Sequence, residues 1–356
     1  MVVFQVCAYA ADYPGNFLLS LLELDKALKR EGHKTIYAFP VNARDKEWCR
    51  ELQKSSKVFF LPLSKARLKI QTYVKLHSII KKEKVDIIHS HFELYDVPVT
   101  IVSGKKQRVF WHLHDPIIKT TWIRNIADIF QYKYVGKQVQ LLSVAEYYKQ
   151  FAIELGFPAE NAVTILNGID LNRIDLNCKK EEEFDFLTFG WDFMRKGSDV
   201  ILNVCKRLEK EGYEFKFCLN GGQSTWKILN DYLKGESFEW LVCSDPEKDI
   251  NQLFKKARCF IQASRRETFS YAIAEAAYFG LPVLASDIEG VRWAKDLPTV
   301  QFFESENEEE LYLLMKEILE TKHAYTEMQV EKTREIIENN YSVKCWVNNI
   351  RKMYEI

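Results

Sequence analysis

The chain has 356 residues, 47% of them hydrophobic, and its 50 basic and 50 acidic side chains leave no formal net charge. That length is too great for one ordinary domain and supplies apolar side chains for two cores, while no uninterrupted apolar run approaches the length of a bilayer span. Eight scattered cysteines (Cys7, Cys49, Cys178, Cys205, Cys218, Cys243, Cys259, Cys345) form no close pairs, so they read as reduced core thiols and exclude a disulfide framework or a zinc-ribbon site.

The N-terminus runs directly into a strand-like segment with no charged leader, so no secretory signal is read and a cytoplasmic protein is expected. Short apolar runs then alternate with amphipathic helical stretches. The runs Val2 to Tyr9, Thr35 to Phe39, Val58 to Leu61, Ile87 to Ser90, Arg108 to Leu113 and Gln140 to Ser143 predict one parallel α/β sheet. Between the first strand and a helix lies Tyr13-Pro14-Gly15-Asn16-Phe17, where a glycine allows close backbone approach and a helix start offers N–H donors.

The segment 64 to 84 is basic and amphipathic, with Leu68, Tyr73, Leu76 and Ile80 among its apolar positions. Such a helix either turns a wet basic face outward on an ordinary domain or rests on an anionic membrane. Two histidine pairs follow, His89 with His91 and His112 with His114, the latter in Trp111-His112-Leu113-His114-Asp115-Pro116. Alternation on a strand puts both rings of each pair on one face, a geometry that serves metal binding or plain packing.

A second series begins after Asn167-Gly168-Ile169-Asp170 and the charged Lys179-Lys180-Glu181-Glu182-Glu183, which suits a linker. Its strand candidates are Glu183 to Gly190, Glu214 to Asn220, Phe238 to Val242, Cys259 to Gln262, Pro282 to Ala285 and Val300 to Phe303. Arg195-Lys196-Gly197 follows the first of these and Asn220-Gly221-Gly222 the second. The expected boundaries are a first domain over 1–166, a second over 167–338 and a terminal helix over 339–356 that carries Val343, Trp346, Ile350 and Met353 at helical spacing. The halves differ in charge: residues 1–165 hold 24 Lys/Arg against 16 Asp/Glu, and residues 166–356 hold 26 against 34.

The densest signal is the stretch 264 to 287, in which Glu267 precedes an Ala-rich helix read over Ser270 to Phe279, Glu275 lies within it, Gly280 stops it, and a buried strand follows. Helical side chains lean toward the N-terminus, so Glu275 points back to the mouth where the first N–H groups are unpaired. There, amides and the helix dipole can hold phosphate or sugar oxygens, and a carboxylate can accept from a vicinal diol.

With its flanking strands and its Gly-Leu-Pro turn, this stretch resembles the Glu-x7-Glu element of retaining nucleotide-sugar glycosyltransferases, in particular glycosyltransferase family 4. The resemblance implies a GT-B fold, two facing Rossmann-like domains with an interdomain cleft, and a terminal helix that crosses back to the first. It implies a metal-independent transfer from a nucleotide diphosphate sugar, most readily UDP-linked, to a saccharide or lipid-linked saccharide acceptor. Lys196 matches the lysine of the family's Gly-Arg-x4-Lys-Gly loop, but Trp191 stands where the arginine is expected, so Arg195 is the candidate replacement. In the same terms Glu275 holds the ribose. Glu267 and the backbone of Thr268, Phe269, Ser270 and Tyr271 position the donor sugar, although Thr268-Phe269-Ser270 replaces the family's more frequent Gly-Phe-Gly or Pro-Phe-Gly. Gly15 and Asn16 belong to the loop facing the donor diphosphate, Gly221 to a nucleotide-side turn, and His114 to the acceptor and donor-sugar side. No metal, no cofactor and no nucleic-acid partner is expected; residues 64–84 remain the candidate for membrane contact. The alternatives are a catalytically silent relative that binds a saccharide or a partner, and an epimerase of the same fold. A nicotinamide oxidoreductase lacks its Gly-x-Gly-x-x-Gly after the first strand.

Overall fold

A computed structural model describes residues 1–12, 14–114, 122–247, 249–321 and 325–356, without the side chains of 122–125. Tyr13 of the first loop, Asp115 and Pro116 therefore lie outside the described residues. The chain divides into two compact units, Met1–Asp170 with Val343–Ile356, and Leu171–Ser342.

The first unit is built on seven parallel strands: β1 (Val2–Cys7), β2 (Lys34–Pro40), β3 (Lys57–Leu61), β4 (Ile87–His91), β5 (Arg108–Leu113), β6 (Gln140–Ser143) and β7 (Ala162–Thr164), in the order β3-β2-β1-β4-β5-β6-β7. Its strands are nearly continuous apolar runs because helices cover both faces. On one face Val3 and Cys7 meet Leu18, Leu21 and Leu24 of the helix Gly15–Arg30; on the other Phe4 and Val6 pack with Leu76, Ile80, Trp111 and Tyr132. The helix Val343–Met353 belongs to the first face, with Val343, Trp346, Val347, Ile350 and Tyr354 in that core. Val343 N–H donates to Ile169 O at 2.9 Å, and a Cβ on Gly168 would stand 2.7 Å from Val343 Cα. That contact moves the division between units from 166 to 170, since Asn167 to Asp170 pack as part of the first unit.

The second unit carries six parallel strands, β8 (Phe184–Phe189), β9 (Phe217–Asn220), β10 (Leu241–Ser244), β11 (Ala257–Gln262), β12 (Val283–Asp287) and β13 (Val300–Glu304), in the order β10-β9-β8-β11-β12-β13. In each sheet the order reverses once, at β1/β4 and at β8/β11, and the loops beyond the carboxyl ends of those strands form the crevice where open α/β sheets bind ligands. One strand is displaced from the expected Phe238 to Val242. Phe238 and Trp240 stack at 4.8 Å and Trp240 on Phe215 at 5.6 Å, so the apolar run begins as core packing before the strand starts. Cys243 is exposed, unlike the buried Cys7, Cys49, Cys205, Cys218 and Cys259.

Candidate functional site

In the second unit the loops after β8 and β11 are locked together. Gly197, at φ +67, turns the first loop where a Cβ would stand 2.0 Å from Ala263 O, so only glycine fits. Arg265 N–H donates to Arg195 O at 2.9 Å, and the Arg265 guanidinium grips both Asp199 oxygens at 2.8 and 2.7 Å. The result is that Arg195 and Lys196, neighbours that a loop could easily turn apart, reach the same atom. Lys196 Nζ lies 2.7 Å and Arg195 Nη1 3.2 Å from Glu267 Oε1, which also accepts from Gln262 Nε2 at 3.0 Å and Ser264 Oγ at 2.9 Å. Both cations also sit over the exposed Trp191 ring, at 4.5 and 5.4 Å from its centroid. Burial lowers the Lys196 ammonium from the usual lysine range while the Glu267 charge opposes that shift.

Beyond Glu267 the chain enters the helix Tyr271–Phe279, whose N-cap Ser270 is left-handed at φ +60. Among the described residues no acceptor meets the amides of Thr268, Phe269 and Ser270, and the buried Ser270 Oγ has none either. Unpaired amides at a helix mouth can hold the oxygens of a ligand. Phe269 itself is fully buried, stacked on Trp293 at 4.6 Å, with its carbonyl taken by Trp293 Nε1 at 2.6 Å, so its side chain anchors the loop and only its backbone amide is left for a ligand. Gly290 closes the back: a Cβ there would lie 1.9 Å from Glu267 O. Glu275, buried one turn into the helix, pairs with Arg173 Nη1 at 3.1 Å.

Gly221 has a packing explanation, since a Cβ would press on Thr225 at 2.7 Å and its N–H is spent on Ser244 O at 2.9 Å. Arg173, Gln262, Ser264 and Gly290 were not singled out from the sequence. Gln262 and Ser264 meet Glu267 from only five and three residues away, whereas Arg173 meets Glu275 across 102 residues and Gly290 answers to the carbonyl of Glu267. A separate cavity of about 660 Å³ in this unit is lined by Lys180, Arg258, Tyr325 and Arg334. Arg258 bonds Asp185 at 2.6 Å and Arg334 bonds Tyr278 O at 3.0 Å, so those two guanidinium groups are committed to the fold.

In the first unit Gly15, at φ +57, opens the helix Gly15–Arg30 together with Asn16, and Phe17 sets its edge against His114 at 5.0 Å and His91 at 5.2 Å. These residues therefore gather with His114 at the carboxyl ends of β1, β4 and β5. All four histidines are buried, and burial pushes each imidazole down, that of His112 to about 3, so they are neutral. Ring nitrogens of His89, His91 and His112 lie within 4.8 Å of one another. A metal needs in-plane lone pairs that converge at about 2.0 Å. Here the rings of His89 and His91 stack 4.1 Å apart and those of His89 and His112 are tilted by only 3°, which aims the lone pairs side by side. The set fits hydrogen bonding between rings better than a metal.

Comparison with known proteins agrees with this architecture. Residues 19–173 match the family description "Glycosyltransferase Family 4" and residues 174–343 match "Glycosyl transferases group 1". An uncharacterized 41.2 kDa protein in the cps region of Klebsiella pneumoniae is 22% identical over 78% of this chain and 80% of its own length. One component of the human phosphatidylinositol N-acetylglucosaminyltransferase is 22% identical over 78% of this chain, and the match spans 61% of that longer protein. Among solved structures, a glycosyltransferase from Rickettsia africae superposes with a TM-score of 0.81 at 17% identity over 99% of this chain and 97% of its own. Anabaena Alr3699/HepE, solved in complex with UDP, gives 0.80 at 17% identity over the whole of both chains, and its complex with UDP-glucose gives 0.74 at 15% identity over 100% of this chain and 99% of its own.

Proposed function

Because this chain belongs to glycosyltransferase family 4 and has the GT-B fold, we propose that it transfers a sugar from UDP, with retention at the anomeric carbon, to a saccharide or lipid-linked saccharide acceptor. The observation that carries the reading is the convergence of Lys196 and Arg195 on one oxygen of Glu267, next to the amides of Thr268, Phe269 and Ser270. As the glycosidic bond breaks, negative charge develops on the departing diphosphate. Two cations already fixed in place stabilise it without reorganisation, which is worth more than the same charges on mobile side chains. Glu267 holds both cations at the required height and shapes the loop for the donor sugar. Arg195 thus takes over from the arginine that Trp191 replaces, and no divalent ion is assigned a role.

Glu275 accepts from the ribose hydroxyls in this reading, with Arg173 keeping its carboxylate oriented. Ser270 and Tyr271 offer backbone to the sugar. We assign Gly15, Asn16 and His114 of the first unit to substrate hydroxyls and phosphate oxygens. UDP as the nucleotide is supported by HepE, solved with UDP-glucose, and the saccharide acceptor by membership of the family.

UDP release from a panel of UDP-sugars, with and without saccharide acceptors, tests the proposal. Slow release that falls 10²–10³-fold in Lys196→Ala is expected, the usual effect of deleting one transition-state charge partner. UDP binding with no turnover on any acceptor would favour the silent relative.

Contact with a membrane rests on a specific surface. Leu76, Ile79 and Ile80 bury the inner face of the helix Ile70–Glu83, leaving Leu68, Ile70 and Val74 at 83%, 73% and 62% exposure beside Lys65, Lys69 and Lys75. No helix among the described residues is long and apolar enough to cross a membrane, so this contact would be peripheral. Flotation with anionic but not zwitterionic vesicles, lost in Leu68→Asp, is the expected result; equal recovery in both would reject it.

A further inference from the structure

Trp191 leaves 60% of its surface in water, on the loop after β8 and beside the Lys196–Glu267 pair. It takes no part in the hydrophobic core of the second unit, to which the same loop contributes Phe193 instead. Its ring meets cations: Arg195 Cζ stands over it at 4.5 Å from the centroid and Lys196 Nζ at 5.4 Å.

Arg195 is bound at two of its three nitrogens. Nε donates to Asp192 Oδ2 at 2.8 Å, and Nη1 donates to Arg266 O at 3.0 Å and to Glu267 Oε1 at 3.2 Å. Nη2 meets no acceptor among the described residues, so its N–H groups are left for a ligand. Two anchors define a line, and a planar group held only along a line can swing about it. Nη2 lies off the line from Nε to Nη1, so such a swing moves Nη2 while both anchors stay in place. A ring beneath the guanidinium opposes the swing, because a cation is attracted to the aromatic face and a planar one packs flat against it. Lys196 needs no such support, since its compact ammonium is 6% exposed and held by Glu267 at 2.7 Å.

We propose that Trp191 is a positioning residue that fixes the tilt of the Arg195 guanidinium, so that Nη2 is already aimed at an oxygen of the donor diphosphate. This rests on the reading that Arg195 meets that diphosphate. In the loop pattern that this chain resembles, an arginine stands at position 191; here the charge sits at 195, and the residue left at 191 supplies a platform in place of a charge. A cation aimed before the glycosidic bond breaks stabilises the leaving group more than one that must first reorient. The effect therefore belongs to turnover rather than to ground-state binding.

A double-mutant cycle on the full-length protein with its preferred UDP-sugar reads the coupling. Trp191→Leu is expected to lower kcat by about fivefold with donor KM nearly unchanged, and Trp191→Phe to keep most of the wild-type rate. In an Arg195→Leu background the same Trp191→Leu change has no further effect. Arg195→Lys, which keeps the charge and lacks Nη2, replaces Arg195→Leu if that variant does not fold. An unaltered kcat in Trp191→Leu, or an equal loss in both backgrounds, overturns the proposal; the second result would make Trp191 a direct substrate contact. Substrate-free ¹H–¹⁵N spectra of arginine-labelled protein give an independent reading. The ring current of Trp191 shifts Arg195 Nε–H upfield, and the shift is lost in Trp191→Leu; its absence from the wild type overturns the platform. If the shift is present but the wild type releases no UDP from any UDP-sugar, the transferase reading fails and the role given to Trp191 ends with it, while the stacking stands.

Discussion

Glu267 Oε1 takes hydrogen bonds from Lys196, Arg195, Gln262 and Ser264, so its removal leaves two cations facing each other with no counter-charge between them. Glu267→Ala is expected to cost on the order of 3 kcal/mol of stability, the range seen when one member of a buried ion pair is deleted, and urea unfolding would measure it. Arg173→Ala should act differently, raising donor KM by roughly tenfold with kcat nearly unchanged, because in the proposed reading it orients the Glu275 contact to the ribose, which is uniform binding. Steady-state kinetics with the preferred donor separate the two. Glu267, Glu275 and Lys196 stand out in the sequence because they lie in short segments whose spacing carries the family resemblance. Arg173 does not, because it meets Glu275 from 102 residues away. Gly290 is invisible for the same reason, since its need for a missing side chain is set by the carbonyl of Glu267.

At the scale of elements, the helix Tyr271–Phe279 begins under strain. Ser270 occupies the left-handed region at φ +60, with a buried hydroxyl that finds no acceptor among the described residues. A non-glycine residue there costs about 1–2 kcal/mol. Ser270→Gly should therefore raise thermal stability by up to about 1 kcal/mol without loss of donor binding; a drop in melting temperature would show that the hydroxyl has a structural partner. The histidines of β4 and β5 give an opposite, pH-dependent effect. Their folded pKa values lie below the ordinary value of about 6.5, so the unfolded chain binds more protons wherever the pH is between the two. Stability is full above pH 6.5 and falls as the pH drops toward 3, by up to about 1.4 kcal/mol per pH unit for each histidine. Urea midpoints at pH 7.5, 6 and 5 should decline in that order, and less steeply in His112→Phe. Strands were readable wherever burial on both faces made them continuous apolar runs, as in β1, β5 and β11. The three residues of β7, Ala162–Thr164, are too few and too half-buried to announce themselves.

The whole molecule is organised by a chain that leaves its first unit at Asp170 and re-enters it at Val343. Val343, Trp346, Val347, Ile350 and Tyr354 fill a core whose other walls are Val3, Leu21, Leu24 and Phe110. Truncation after Ser342 should therefore expose that core and unfold the first unit, while the second, which contributes nothing to it, keeps its own transition; differential scanning calorimetry would show one endotherm in place of two. The alternation of strands and helices made the two parallel sheets legible, whereas the division between units was misplaced because Asn167 to Asp170 read as a turn. The packing of Gly168 against Val343 and Trp346, which sequence spacing cannot express, binds that turn to the first unit.

The same return path has a consequence for biogenesis. A ribosome presents residues 1–170 long before it has made Tyr354, so the earliest nascent sheet waits, with one face uncovered, through synthesis of the entire second unit. The part translated first is the part completed last.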